Sequence, residues 1–430
     1  MNEHASVGLG SYVADARTRR ELVVQPRMGF SAPDRMRAGL DAVRAVPGCT
    51  VGTITLDSYT RVGDDAAVSR ALDLGVELNG YPIVHHPPET TASVLGGAGN
   101  AGHPVQVRHG SAVPERIIDR LVQLRISATE GGPVSYCLPY GRSPLAASVQ
   151  AWARSCRVFS RLREHGAEPH LETFGGCLLG QLCPPGLLVA MSVLEAVFFA
   201  QNGIRCVSLS YAQQANAGQD REAVAALRAL AARFLPGVRW HVVFYTYMGV
   251  YPLSRLGAQA LQDEAVRLAV RSGCERLIVK TTAESSRIPD VGENVDALRR
   301  AAALASALPR VEPDEPAPEG AVFAEARALV EATLSLHADV GTALLLAFRR
   351  GYLDVPYCLH PDNAGRSRGW IAEDGSLHWT STGNMPVPEP VREAGHGQCA
   401  ADLLRALHHV RRRFDAPSAV AGASTTGDSR

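Results

Sequence analysis

PVQVRHGSAVPERIIDRLVQLRISATE, residues 104–130, decides the fold. Residues 105–107 form a short β-prone run. Pro114 then opens a segment whose Ile117, Ile118, Leu121 and Leu124 share one face of a helix, and residues 125–128 return to a β-prone run. Strand, helix and strand in so short a span describe a parallel pair, because parallel neighbours need a crossover and a helix usually supplies it.

Read outward, the same alternation runs from residue 20 to about residue 305. The strand candidates are residues 22–25, 51–56, 82–85, 105–107, 125–128, 170–174, 206–211, 241–245 and 276–279. Amphipathic segments lie between them, among them residues 34–46, where Met36, Leu40 and Val43 form a stripe, and residues 220–235 and 256–270. Largely apolar strands separated by helices predict an α/β fold with a parallel sheet covered by helices. Nine candidates exceed by one the eight strands of a (β/α)8 TIM-type barrel. A doubly wound open sheet is the alternative, but this many repeats in this length favour the barrel.

The stretch LPRVEPDEPAPEG, residues 308–320, is rich in proline and acid and reads as a linker. Residues 321–350 predict two helices broken near Gly341. Residues 352–412 are punctuated by glycine and proline and end in a basic amphipathic helix over 400–413. The expected organisation is a barrel domain over 1–307, the linker, a smaller C-terminal α+β domain over 321–415, and a small, polar, disordered tail over 416–430.

Composition excludes several classes. Of 430 residues, 46% are hydrophobic and 20% charged, and 43 basic side chains cancel 43 acidic ones. That balance argues against a nucleic-acid or membrane-surface protein, both of which rely on a basic excess. The longest apolar stretch, 187–200, is cut by Ser192 and Glu195, so it reads as a buried helix rather than a bilayer span. No charged-then-apolar leader opens the first fourteen residues, and a cytoplasmic location is expected. The cysteines are Cys49, Cys137, Cys156, Cys177, Cys183, Cys206, Cys274, Cys358 and Cys399. Their number is odd and no CxxC pair occurs, which predicts reduced, mostly buried thiols and no thiolate metal site. GAGNAG, residues 97–102, matches the dinucleotide glycine pattern but precedes a strand instead of opening a helix, so it reads as a loop. The pairs His85–His86 and His408–His409 are adjacent and do not by themselves chelate.

Of the 43 basic residues, 42 are arginine and one, Lys280, is lysine. In a chain where arginine serves wherever a generic positive charge suffices, a retained lysine points to a place that needs a compact, tunable ammonium. Chance survival is the alternative.

In a (β/α) barrel the chemistry sits at the carboxyl ends of the strands. Those ends carry Arg27, Arg61, Arg108 with His109, Glu130, then Tyr136 and Tyr140, and finally Lys280. Three guanidinium groups at one mouth make a clamp for more than one carboxylate, each able to bind through two parallel bonds. Glu130 suits a substrate ammonium. The implied ligand is a small dicarboxylic amino acid; taken singly, each arginine could instead be a solvated surface residue.

With these residues in view, the sequence resembles the large (epsilon) subunit of glutamate mutase, also called methylaspartate mutase, a coenzyme B12-dependent isomerase. The resemblance rests on QPRMG (25–29), TITLDSYTR (53–61), LNGYP (78–82), VQVRHG (105–110), TEGGPVSYCLPY (129–140), GQLCPP (180–185), YTYMGVYP (245–252), LIVKTTAESSRIP (277–289) and DVPYCLHPDNAG (354–365), in the family's order. It implies a barrel that binds L-glutamate at its mouth and rearranges it to 3-methylaspartate. It further implies adenosylcobalamin, with cobalt ligated by a separate small subunit, since no DxHxxG occurs here. A homodimer of this chain within a heterotetramer is implied as well. By the resemblance, Arg27, Arg61, Arg108, His109, Glu130, Tyr136 and Tyr140 contact substrate, with Glu130 catalytic. Gly29, Asn79, Pro139, Tyr251, Lys280, Glu284 and Ile288 contact the cofactor, the Lys280–Glu284 pair holding its ribose. No residue of this chain is expected to bind a metal. The front end is shorter than the family's pattern, which bears on subunit contacts. Two other readings stay open: a Schiff-base lyase using Lys280 as its amine, and a non-catalytic scaffold for a cobalamin-binding subunit.

Overall fold

Every barrel strand is a short run of residues buried almost throughout, as a sheet covered on both faces requires. A computed structural model describes residues 8–96, 102–139, 141–178, 182–309, 320–387 and 400–416. The strands are β1 (Val23–Pro26), β2 (Gly52–Thr55), β3 (Val105–Arg108), β4 (Ala128–Gly131), β5 (His170–Thr173), β6 (Cys206–Ala212), β7 (Arg239–Tyr245) and β8 (Arg276–Val279). All pair in parallel in the order β1-β8-β7-β6-β5-β4-β3-β2. A single bridge, Val24 with Thr50, joins the first strand to the lead-in of the second and closes the ring. The chain is an α/β barrel.

Two strand expectations are corrected. The surplus candidate, residues 82–85, is a turn: Tyr81 makes one bridge to Leu56, and then Pro82, which has no N–H to donate, and the bends after it take the chain away from the sheet. The fourth strand begins at Ala128 rather than Arg125, so Glu130 lies within it instead of after it. Arg125 has a positive φ of 55° and belongs to the turn that leaves the preceding helix.

Helices cover the ring as the stripes predict. In the helix Glu115–Gln123, Ile117, Ile118 and Leu121 are buried; in Pro33–Arg44, Met36, Leu40 and Val43 are. Pro185–Gln201 is buried on nearly all sides, because the helix Ala321–Leu334 packs over its outer face. Among the described residues, no helix is long and apolar enough to cross a membrane.

Inside the barrel the filling is polar. The Arg276 guanidinium, fully buried, ion-pairs with Glu172 and donates to Gln25, to Gln106 at 3.2 Å and to the Ser208 hydroxyl at 2.9 Å. Gln25 donates to Thr53 at 2.9 Å and to Gln106 at 2.7 Å. These residues come from β1, β2, β3, β5, β6 and β8, so one connected network crosses the barrel beneath its mouth.

After the barrel come the helices Ala321–Leu334 and Val340–Arg350, an antiparallel pair β9 (Arg368–Ile371) and β10 (Leu377–Ser381), and the helices Ala400–Leu407 and His409–Asp415. The break in the first helical region falls before Asp339, whose carboxylate caps the second helix at the Thr342 N–H, 2.7 Å away. Gly341 sits inside that second helix; a Cβ there would lie 2.7 Å from Val149 Cγ1, so close packing rather than a break explains the glycine. The final basic helix is two helices meeting at His408. Most of the expected linker (310–319), the tail from 417 and residues 97–101 of GAGNAG lie outside the described residues. Of the cysteines, Cys358 is half-buried, Cys399 lies outside the described residues, and the others are buried, with no disulfide among the described residues.

Candidate active site

Arg108 ends β3 and Glu130 is the third residue of β4. On neighbouring parallel strands they meet at the barrel mouth, with Arg108 Nη2 3.0 Å from Glu130 Oε2 and side chains 3% and 2% exposed. Two tyrosine hydroxyls complete the carboxylate's shell: Tyr136 donates to Oε1, and Tyr245, at the end of β7, donates to Oε2 at 3.0 Å. The Tyr245 hydroxyl also reaches Glu172, so it stands between two buried carboxylates. Burial pushes the Glu130 carboxyl up from its ordinary value, with Arg108 opposing. Glu172 is held below its ordinary value because Arg276 and Arg108 outweigh its burial.

A cavity of about 980 Å³ opens over this pair, lined among others by Arg27, Arg61, Arg108, His109, Glu130 and Tyr136. Arg61 sits on the short helix Ser58–Val62, whose start is capped by Asp57 through the Tyr59 and Thr60 N–H groups. Its guanidinium donates to the Leu56 carbonyl at 3.0 and 2.8 Å, which orients it. Arg27 follows β1 and is one-third exposed. His109 is buried, with its ring stacked on Trp152 at 5.6 Å. Its Nδ1 accepts the Ser111 N–H at 3.0 Å. Burial and then Arg61 push its pKa down to about 3, so it is a neutral imidazole. Tyr140 lies outside the described residues.

Lys280 follows β8 and is buried, with Nζ 2.8 Å from Glu284 Oε1 and 5.2 Å from the centre of the Tyr251 ring. Burial pushes its pKa down to about 8 against the pull of Glu284. The same Glu284 oxygen takes Arg27 at 3.3 Å, which links the lysine pair to the cavity. Gly29 lies against β2, where a Cβ would come within 2.2 Å of the Thr55 carbonyl oxygen. Asn79 is exposed and accepts the Ser58 N–H at 2.9 Å. Pro139 is exposed, and Ile288 is 57% exposed.

Several residues of the site escaped the sequence reading. Thr55, Thr60, Phe174 and Met248 line the cavity, and Tyr245 and Glu172 support Glu130 from below. Among the described residues, buried Arg108 Nη1, Thr55 Oγ1 and Thr60 Oγ1 have no hydrogen-bond partner. Unpaired buried donors on a cavity wall mark where a polar ligand fits. The DVPYCLHPDNAG stretch braces this wall: His360 Nε2 donates to the Ser143 carbonyl at 3.0 Å, and the Asp362 carboxylate accepts the Leu145 N–H at 2.7 Å.

Comparison with known proteins identifies the chain's relatives. The glutamate mutase epsilon subunit of Escherichia coli O157:H7 is 27% identical over 414 residues, covering 93% of this chain and 84% of that protein. The glutamate mutase epsilon subunit of Haloarcula marismortui is 29% identical over 387 residues, covering 86% and 78%. Residues 7–405 match the family described as methylaspartate mutase E chain (MutE), and the chain belongs to that family.

Proposed function

We propose that this chain is the substrate-binding, catalytic subunit of a coenzyme B12-dependent mutase interconverting L-glutamate and (2S,3S)-3-methylaspartate. The observation that carries the reading is the set of three guanidinium groups around one cavity with a buried, hydrogen-bonded carboxylate at its floor. A dicarboxylic amino acid has the complementary charges.

Arg108 can serve two partners at once. Nη2 holds Glu130, while Nη1, buried and unpaired among the described residues, is left to donate to a substrate carboxylate. Arg61 and Arg27 receive the second carboxylate. Glu130 accepts from the substrate ammonium and can take a proton from it, a role its raised pKa supports. Neutral His109 adds no charge to the clamp. A site that grips both carboxylates keeps the two ends of the carbon skeleton together while the bond between them is broken and remade.

The family's cofactor can be tested against the residues here. A buried ammonium–carboxylate pair, Lys280 with Glu284, offers one donor and one acceptor to a vicinal diol, and Gly29 leaves room that a Cβ would fill. The residues fit. Lys280 and Glu284 would hold the ribose, with Gly29, Asn79, Pro139, Tyr251 and Ile288 around the rest. Adenosylcobalamin, when bound, supplies the carbon-radical chemistry that a skeletal rearrangement needs. A small partner subunit would ligate the cobalt, within a heterotetramer built on a dimer of this chain, in the cytoplasm.

Calorimetric titration of the purified chain tests the clamp. L-Glutamate is expected to bind at least tenfold more tightly than L-2-aminobutyrate, which lacks one carboxylate, and the preference should vanish in Arg61→Ala. Equal affinity for the two ligands would remove the basis of the proposal.

A further inference from the structure

Glu195 is the single charged residue of the helix Pro185–Gln201, and it is fully buried. Among the described residues its carboxylate pairs with no cation. Instead it accepts four backbone N–H groups: Oε1 takes Val134 at 3.3 Å and Ser135 at 2.8 Å, and Oε2 takes Phe174 at 3.3 Å and Gly175 at 2.9 Å. The first pair belongs to the loop after β4 and the second to the loop after β5. One side chain therefore ties two mouth loops to a single point.

What those loops carry gives the tie its meaning. The β4 loop leads directly into Tyr136, whose hydroxyl bonds Glu130. The β5 loop starts with Phe174, whose ring centre is 5.7 Å from the Arg108 guanidinium. The two rings pack against each other at 5.1 Å. Fixing Ser135 and Phe174 relative to one another thus fixes the walls on either side of the Arg108–Glu130 pair.

Only a carboxylate can do this. Four donors converge in an apolar helix-lined space, and two oxygens with about four lone-pair sites can satisfy them all, whereas an amide has one acceptor oxygen. The fit is close on the loop side too: a Cβ on Gly132 would lie 2.0 Å from Glu195 Oε1, so the glycine lets the backbone approach.

We propose that Glu195 is a positioning residue that sets the substrate clamp by locking the β4 and β5 loops together. This rests on the proposed function, since it assumes that the clamp binds a dicarboxylic amino acid. It adds a determinant of affinity that touches neither substrate nor cofactor.

Glu195→Gln tests it with three measurements on the full chain. Hydrogen exchange at the amides of residues 134, 135, 174 and 175 should speed up at least tenfold. The calorimetric dissociation constant for L-glutamate should rise at least tenfold. The titration midpoint of Lys280, on the far side of the mouth, should stay in place. Gly132→Ala, which crowds the carboxylate from the loop side and leaves the helix sequence intact, should weaken L-glutamate binding in the same way if the glutamine variant folds poorly. Unchanged L-glutamate affinity in a folded variant of either kind, with or without a lower melting temperature, would overturn the proposal. If the wild-type chain itself does not bind L-glutamate, the proposed function fails, and the exchange measurement still judges Glu195.

Discussion

Arg108 and Glu130, from adjacent strands, form a buried ion pair 3.0 Å apart that uses only half of the guanidinium. Breaking one side of a buried pair leaves an uncompensated charge, at a cost of about 3–5 kcal/mol. Arg108→Ala should therefore both abolish turnover and lower the unfolding free energy by about 3 kcal/mol. Arg108→Ala combined with Glu130→Gln should recover part of the stability in urea unfolding and none of the activity. A single variant as stable and active as the wild type would show the pair to be incidental.

Lys280 gives a pH prediction with a built-in probe. It is the only lysine, so lysine labelled with carbon-13 yields one side-chain resonance. Burial holds its pKa down at about 8, so the ammonium dominates below that value and is lost above it. The hold on a ribose should weaken as pH rises through 8. The unfolded chain keeps that proton to about 10.5, so it binds more protons than the folded one across this interval. This residue alone should thus make stability rise between pH 8 and 10.5. A midpoint near 10.5 would mean that the lysine is solvated. Loss of the resonance after borohydride and a carbonyl substrate would instead favour the lyase reading.

The Glu172–Arg276 pair inside the barrel predicts a stability effect separable from binding. Both side chains are fully buried, and Arg276 is shared with Gln25, Gln106 and Ser208. Arg276→Met should cost about 3–5 kcal/mol by leaving Glu172 unpaired. The readout is the unfolding free energy from urea titration, and a loss under about 1 kcal/mol would contradict the network's role.

The same polar interior explains what the sequence concealed. Strands such as β7 and β8 are legible because their apolar runs are long or end at a conspicuous lysine. β4 reads as residues 125–128 because hydrophobicity favours Ile126, whereas the strand itself, Ala-Thr-Glu-Gly, is half polar yet buried throughout. Glu172 and Arg276 carry the matching signal, charges within fully buried strands, which makes sense only once the two are seen to pair. Residues 82–85 mislead in the opposite sense, being apolar enough for a strand but led by a proline that ends the pairing. The arginine clamp is readable because each member lies at or shortly after a strand's end: Arg27 follows β1, Arg108 closes β3, and Arg61 sits on the short helix after β2. Thr55, Thr60 and Phe174 were not, since small polar and aromatic residues at strand ends are common. Glu195 reads in the sequence only as an interruption of an apolar helix; its four N–H partners, distant in sequence, give it a purpose.

The central claim is that this mouth holds a dicarboxylic amino acid for rearrangement, and its most direct measurement follows carbon-13-labelled L-glutamate by NMR. The purified chain is combined with the proposed small cobalamin-binding subunit and adenosylcobalamin. The account predicts new resonances of 3-methylaspartate with the wild-type chain and none with Arg108→Ala. Unaltered glutamate with a wild-type chain that has bound both subunit and cofactor would contradict it.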